Sequence, residues 1–136
     1  MPHVLVIEER RRARERLSHV LLDAGYAVSE ARDGRMALEL ARKGRPDLIV
    51  HGHVAPGTSE FLAVRRTDPG LSGIALVATF ARPDLIEGAD VCLSERFTAD
   101  DLFAAVRRCE ERDHVGVGVR RTVAPQDSGA GVESLR

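Results

Sequence analysis

Short apolar runs rich in β-branched residues alternate along the chain with segments whose apolar residues recur at helical spacing. The first run is His3–Ile7, and from Arg10 to Ala24 the apolar residues then fall three and four positions apart. Continuous apolar runs of this length indicate strands that are covered on both faces. Because such strands alternate with amphipathic helices, the chain is predicted to form an α/β fold around a parallel sheet.

Turn and capping residues divide the rest of the chain into further elements. Gly25 and Gly44 are predicted to end the first two helices, and Asp33 to cap the second. Either Thr58 or Ser59 is predicted to cap a short third helix, and a capping-box pattern at residues 98–101 begins the last one. The four remaining strands are predicted at residues 26–30, 47–51, 74–78 and 89–93.

Size, charge and cysteine content limit the kinds of protein that the chain can be. Its 136 residues suit one core, and its net charge of -1 provides no strong attraction to nucleic acid or to a membrane. It has neither an apolar run of about 20 residues nor a signal-peptide pattern, so we expect a cytoplasmic protein. Cys92 and Cys109 fit no metal spacing and are interpreted as buried apolar residues.

Several short segments, taken in order, resemble the receiver domain of bacterial response regulators, the CheY-like family. They are VLVIEE at residues 4–9, AGYAV at 24–28, ARDG at 31–34, PDLIV at 46–50 with Pro-Gly at 56–57, GAD at 88–90 and Phe97. The resemblance implies a flavodoxin-like three-layer sandwich whose strands lie in the order 2-1-3-4-5. It covers residues 1–112. Residues 113–136 are predicted to form a flexible C-terminal tail, because they include a linker-like stretch rich in glycine.

Two features of the family's phosphorylation site are matched by residues that differ from the usual aspartates. The acidic pair that binds Mg²⁺ matches Glu8 and Glu9, each one methylene longer than aspartate. The phosphoacceptor matches Gly52, which has no side chain and so cannot act as a nucleophile. One of the Mg²⁺ ligands is lost with the acceptor, so we expect no resident cofactor.

The remaining positions of the phosphorylation site also depart from the family pattern. The hydroxyl residue matches Phe80, or Thr79 if the alignment shifts by one position. The family's lysine matches Glu95, whose charge would repel a phosphoryl group. Its proline matches Arg96, and the aromatic residue that moves on activation matches Cys92.

The link between the fourth and fifth strands is too short for a helix of ordinary length. Only residues 81–87 separate Phe80 from Gly88, which leaves space for about one turn. The fourth helix of the family is therefore predicted to be shortened or absent. If this exposes an apolar stretch of the sheet, the stretch would serve a protein partner or self-association as a homodimer.

Together these substitutions predict a pseudo-receiver, which is a receiver-like domain that is not phosphorylated at the usual site. We expect it to be no enzyme and to act in two-component signal transduction through protein–protein interaction. One alternative is a phosphorelay receiver with an unorthodox acceptor. Asp47 is the nearest aspartate along the third strand, but it lies roughly 16 Å from Gly52 at the strand's other end.

A second alternative is a small-ligand or metal-binding module at the carboxyl ends of the strands. His51 and His53 share one face of a strand and could combine with Glu8 or Glu9. Such short pairs more often form polar strand ends, so we expect no tight Zn²⁺ binding. Five arginines between residues 10 and 16 are interpreted as a solvated helix face rather than a nucleic-acid footprint, because glutamates lie among them.

Overall fold

The computed structural model describes residues 2–52, 56–79, 89–94 and 96–115, and it confirms the predicted alternation of strands and helices. The strands are β1 (His3–Ile7), β2 (Ala27–Ala31), β3 (Leu48–His51), β4 (Ala75–Ala78) and β5 (Val91–Cys92). The helices are α1 (Arg11–Asp23), α2 (Gly34–Gly44), α3 (Thr58–Thr67) and α4 (Ala99–Val115). The strands form one parallel sheet in the predicted order β2-β1-β3-β4-β5.

The chain divides into two compact units, and the first one ends at Ile74. Within it, β1 pairs with β2 on one side and with β3 on the other. Val4 to Ile7 of β1 and Leu48 to His51 of β3 are all buried, as expected for strands that are covered on both faces. Helix α1 adds Leu17 and Leu21 to this core.

The start of α2 packs against the backbone just before α3. Asp33 caps α2 as predicted, because its side chain accepts a hydrogen bond of 2.8 Å from the Met36 N–H. The Gly34 N–H donates to the carbonyl of Pro56 at 2.8 Å. A Cβ atom on Gly34 would overlap the carbonyl group of Gly57 and lie 3.1 Å from the Gly57 Cα. This approach of two backbones is open only to glycine at position 34.

One predicted helix boundary was wrong in its details, and a second was right in position. Helix α2 ends at Gly44 as predicted, although the left-handed residue that follows it is Arg45, with φ of 37°. Helix α3 is preceded by Gly57 with φ of 80°, so its N-cap is a glycine rather than the side chain of Thr58 or Ser59. Local propensity did not decide the start of α3, since Thr58 is buried and Gly57 is held against Gly34.

The second unit begins at Ala75 and contains β4, β5 and α4. Asp90 joins the two strands, because its carboxylate accepts a 2.8 Å hydrogen bond from the Leu76 N–H. The predicted capping box is present: the N–H groups of Thr98 and Asp101 donate to each other's side chains at 2.9 and 3.1 Å. Helix α4 then continues to Val115, past the predicted boundary at residue 112.

Two of the sequence-based predictions concern residues that the structure does not describe. These are the shortened fourth helix at residues 81–87 and the flexible tail from residue 116 onward. Among the described residues, no helix combines the length and the apolar character that crossing a bilayer requires.

Candidate functional site

The carboxyl end of β1 places the side chain of Glu8 in the interior. Glu8 is only 1% exposed, whereas Glu9 is exposed. Glu8 Oε2 accepts hydrogen bonds from the Arg10 backbone N–H at 2.8 Å and from Arg10 Nε at 3.0 Å, and Oε1 lies 3.3 Å from Arg10 Nη2. A buried carboxylate is costly unless it is paired, so Arg10 offsets much of the cost of burying Glu8.

Gly52 lies directly beyond β3 and faces the side chain of Glu8. Its N–H donates to the carbonyl of Ile7 at 2.6 Å, which continues the β1–β3 pairing by one residue. A Cβ atom on Gly52 would overlap Glu8 Oε1, and it would lie 3.0 Å from Cδ and 3.1 Å from Cβ of Glu8. The Glu8 side chain therefore fills the volume into which a side chain at position 52 would extend.

His51 is fully buried beside these two residues. Its Nδ1 lies 3.4 Å from the Gly52 carbonyl oxygen, and its Nε2 lies 3.4 Å from Thr58 Oγ1. Burial lowers the pKa of His51 to about 4, although the hydrogen bond to Gly52 and the charge of Glu8 act in the opposite direction. The imidazole is therefore neutral at pH 7 and joins the end of β3 to the start of α3.

We predict that burial of His51 makes the protein less stable in weak acid. The unfolded chain binds a proton at a pKa of 6.5 and the folded chain only at about 4, so stability is complete above pH 6.5 and falls as the pH drops toward 4. The expected loss between pH 7 and pH 5 is about 2 kcal/mol. Urea unfolding of the parent and of His51→Leu across this range measures the loss as the difference between their pH slopes.

Exposed His19 on α1 provides the matched control for this prediction. The His19→Gln variant should keep the pH slope of the parent chain. Equal slopes for the parent and for His51→Leu would show that His51 titrates alike in the folded and unfolded chains.

Three of the five arginines near α1 form ion pairs within the protein. Besides the pair with Glu8, Arg11 Nε lies 3.2 Å from Glu15, and Arg14 Nε lies 3.6 Å from Glu30. Arg14 Nη1 also donates to the backbone carbonyls of the two residues at the end of β1, Glu8 at 3.0 Å and Glu9 at 3.3 Å. Arg10 and Arg14 thus hold the turn between β1 and α1.

The residues at this turn do not fit a Mg²⁺ ion. Mg²⁺ requires several oxygen ligands at about 2.0–2.1 Å, with water completing an octahedron. The Glu8 carboxylate is bonded through both oxygens to Arg10, and the carbonyls of Glu8 and Glu9 accept from Arg14. Across the described ranges, no three His, Cys, Asp or Glu side chains are grouped so that they could hold a metal ion.

The second unit contains three of the other predicted site residues. Thr79 directly follows β4 and is buried, Cys92 ends β5 and is buried, and Arg96 is exposed. Burial and, secondarily, the charge of Asp90 raise the pKa of Cys92 to about 11, so its thiol stays protonated at neutral pH. Three further candidates lie outside the described residues: His53, Phe80 and Glu95.

Asp47 lies at the amino end of β3, where its carboxylate accepts a 2.8 Å hydrogen bond from the His3 N–H. Gly52 follows the other end of the same strand. Asp47, the alternative acceptor, therefore lies at the opposite end of β3 from Gly52 and Glu8.

Sequence reasoning did not identify Arg10 as a member of this site. It assigned Arg10 to a solvated helix face, but Arg10 precedes α1, and its backbone N–H and side chain both turn back to Glu8. An arginine two positions after a carboxylate that ends a buried strand was the available signal.

Comparison with known proteins places the chain among response regulators, although it matches no protein-family model. It is 30% identical over 135 residues to the response regulator MprA of Mycolicibacterium vanbaalenii, covering 94% of this chain and 54% of that protein. It is 31% identical over 120 residues to the transcriptional regulatory protein PdtaR of Mycobacterium tuberculosis, covering 80% of this chain and 57% of that one. The chain therefore spans about half the length of the curated relatives that it matches.

Solved structures of single receiver domains match over nearly their whole length. The chemotaxis response regulator CheY4 of Vibrio cholerae superposes with a TM-score of 0.71 at 30% identity, covering 80% of this chain and 98% of CheY4. The receiver domain of a histidine kinase from Syntrophus aciditrophicus has a TM-score of 0.75, and at 23% identity it supports the fold alone. Since the match to CheY4 combines this identity with almost complete coverage, the chain belongs to the CheY-like receiver family of two-component response regulators.

Proposed function

We propose that this chain is a pseudo-receiver that is not phosphorylated at the usual site and acts through contact with a protein partner. The observation that carries this proposal is the position of the Glu8 side chain over Gly52. In an ordinary receiver, an aspartate at this position would extend from the end of β3 and take the phosphoryl group. Here that volume holds a carboxylate from another strand, already bonded to Arg10.

The charges around the turn also oppose phosphoryl transfer. This reaction needs a nucleophile and cations that neutralise the charge of the moving group. Position 52 supplies no nucleophile, and the family's lysine is matched by Glu95. The only lysine in the chain is Lys43, an exposed residue of α2. We therefore propose a binding role without catalytic turnover.

Thr79 supports a refinement of the site. It directly follows β4 and is buried, which favours Thr79 over Phe80 as the match for the family's hydroxyl residue. The chain would then keep the family's hydroxyl residue although it lacks both the acceptor and the lysine. We propose that such a domain keeps the receiver's shape for recognition while it has lost the phosphorylation reaction.

The partner in this proposal is a protein of a two-component signalling pathway in the cytoplasm. MprA is named a response regulator and PdtaR a transcriptional regulatory protein. We propose a related regulatory role for this chain, with a signalling protein or a second copy of the chain as the partner.

Phosphorylation is tested with the full chain, acetyl phosphate and Mg²⁺, and an ordinary receiver domain is treated in parallel. We expect the ordinary receiver to gain an acid-labile phosphate and this chain to gain none, as measured by intact-mass spectrometry. A stoichiometric acid-labile phosphate on this chain would overturn the proposal. If that phosphate mapped to Asp47, the alternative of an unorthodox phosphorelay acceptor would replace it.

A further inference from the structure

The carboxylate of Glu8 is paired with the positively charged side chain of Arg10 from the same chain. Arg10 contacts both of its oxygens, and the Arg10 side chain itself is 60% exposed. The guanidinium thus covers the buried carboxylate from the solvent side, where a cation from solution would approach. Arg14 holds the neighbouring carbonyls of Glu8 and Glu9. The carboxylate oxygens of Glu8 and the carbonyl oxygens of Glu8 and Glu9 are thus already hydrogen-bonded to arginine.

Gly52 makes this arrangement sterically allowed. A Cβ at position 52 would overlap Glu8 Oε1 and come within 3.0 Å of Glu8 Cδ. Any side chain at position 52 would displace the carboxylate that Arg10 holds. Since aspartate is one methylene shorter than glutamate, the extra length of Glu8 and the missing side chain of Gly52 complement each other.

We propose that Arg10 is the resident counter-ion of this turn and takes the place of a divalent cation, with Glu8, Arg10 and Gly52 acting as one coupled unit. The coupled unit holds the end of β1 in one arrangement without metal or phosphate. The role of this coupled unit in signalling rests on the proposed function, in which the domain signals without phosphorylation. Metal binding and stability are measured independently of phosphorylation, so either proposal can fail alone.

Metal titration of the Arg10→Met variant of the 136-residue chain tests whether Arg10 takes the place of a cation. We expect millimolar Mn²⁺ to leave the unfolding temperature of the parent chain unchanged. Arg10→Met should unfold about 5 °C lower, because a buried carboxylate loses its partner. Mn²⁺ should restore part of that loss, since an ion that binds only the folded chain stabilises it.

Arg12→Met is the matched control, because Arg12 is an exposed arginine of α1. Its unfolding temperature should be close to that of the parent chain and should not change when Mn²⁺ is added. The proposal is overturned if Mn²⁺ stabilises the parent chain, if Arg10→Met loses no more stability than Arg12→Met, or if Arg10→Met gains nothing from Mn²⁺.

A double-mutant cycle tests the coupling between Glu8 and Gly52 without metal. Gly52→Ala should lower the unfolding temperature of the parent by about 8 °C. In a Glu8→Ala background, the same substitution should lower the unfolding temperature by less than about 4 °C. Gly73→Ala is the control, because a Cβ there has no neighbour within 4 Å. Equal costs of Gly52→Ala in both backgrounds would mean that Glu8 and Gly52 are not coupled.

Discussion

Replacing Gly52 with aspartate is expected to lower the free energy of unfolding by about 3 kcal/mol rather than to restore a phosphorylated receiver. The new side chain would overlap the carboxylate of Glu8. It would also bring a second negative charge beside that buried carboxylate, and the two like charges repel. Calorimetry should show the unfolding temperature falling by about 12 °C or more.

Phosphorylation of Gly52→Asp is expected to stay absent, because Glu95 still matches the position of the family's lysine. Gly52→Ser separates steric overlap from charge, since serine is smaller and neutral, and it should lose less stability than Gly52→Asp. Removing the overlap with Glu8→Ala should return part of the stability to Gly52→Asp. A Gly52→Asp chain that is as stable as the parent and accepts phosphate from acetyl phosphate would contradict both expectations.

Replacing Gly34 with alanine is expected to cost about 3 kcal/mol as well, by a change that adds no charge. The added methyl group would overlap the carbonyl of Gly57, which is backbone and cannot swing aside as the end of a side chain can. The Gly34 N–H also donates to Pro56, so moving the start of α2 would break that hydrogen bond. Urea unfolding gives this cost directly.

Gly44 is the matched control for this prediction, because it lies in the same helix. A Cβ on Gly44 would lie 3.6 Å from His3 Cε1, an ordinary contact. Gly44→Ala should therefore be neutral, or stabilise the chain by up to about 1 kcal/mol through helix propensity. If Gly34→Ala matched Gly44→Ala in stability, the close approach of Gly34 and Gly57 would not constrain the fold.

The sequence predicted the strands and most helix boundaries because those depend on periodic apolar residues and on local capping, whereas the order of the strands came from the family resemblance. The capping box of Thr98 and Asp101 is an example, since both partners lie within one turn. The start of α3 was predicted less well, because Gly57 is fixed by a residue of α2 rather than by its own neighbours. Local rules do not include that contact.

The sequence predicted which residues of the family's site are missing. It did not predict the contacts that Glu8 makes with Arg10 and Gly52 in their place. Glu8 and Gly52 were both identified by resemblance, as a metal ligand and as a missing acceptor. Their contact depends on the β1–β3 register and on the rotamer of Glu8, and neither follows from composition or spacing. The role of Arg10 depends on the same contact, so it was assigned to the solvent-exposed face of a helix.

The overlap between Glu8 and position 52 also restricts the order in which mutations could restore an acceptor. Aspartate introduced at position 52 first would overlap Glu8, whereas aspartate introduced after residue 8 had been shortened would avoid that overlap. The restoration is therefore epistatic, because the benefit of the second substitution depends on the first. Selection acting one step at a time would tend to preserve glycine at position 52 for as long as glutamate remains at position 8.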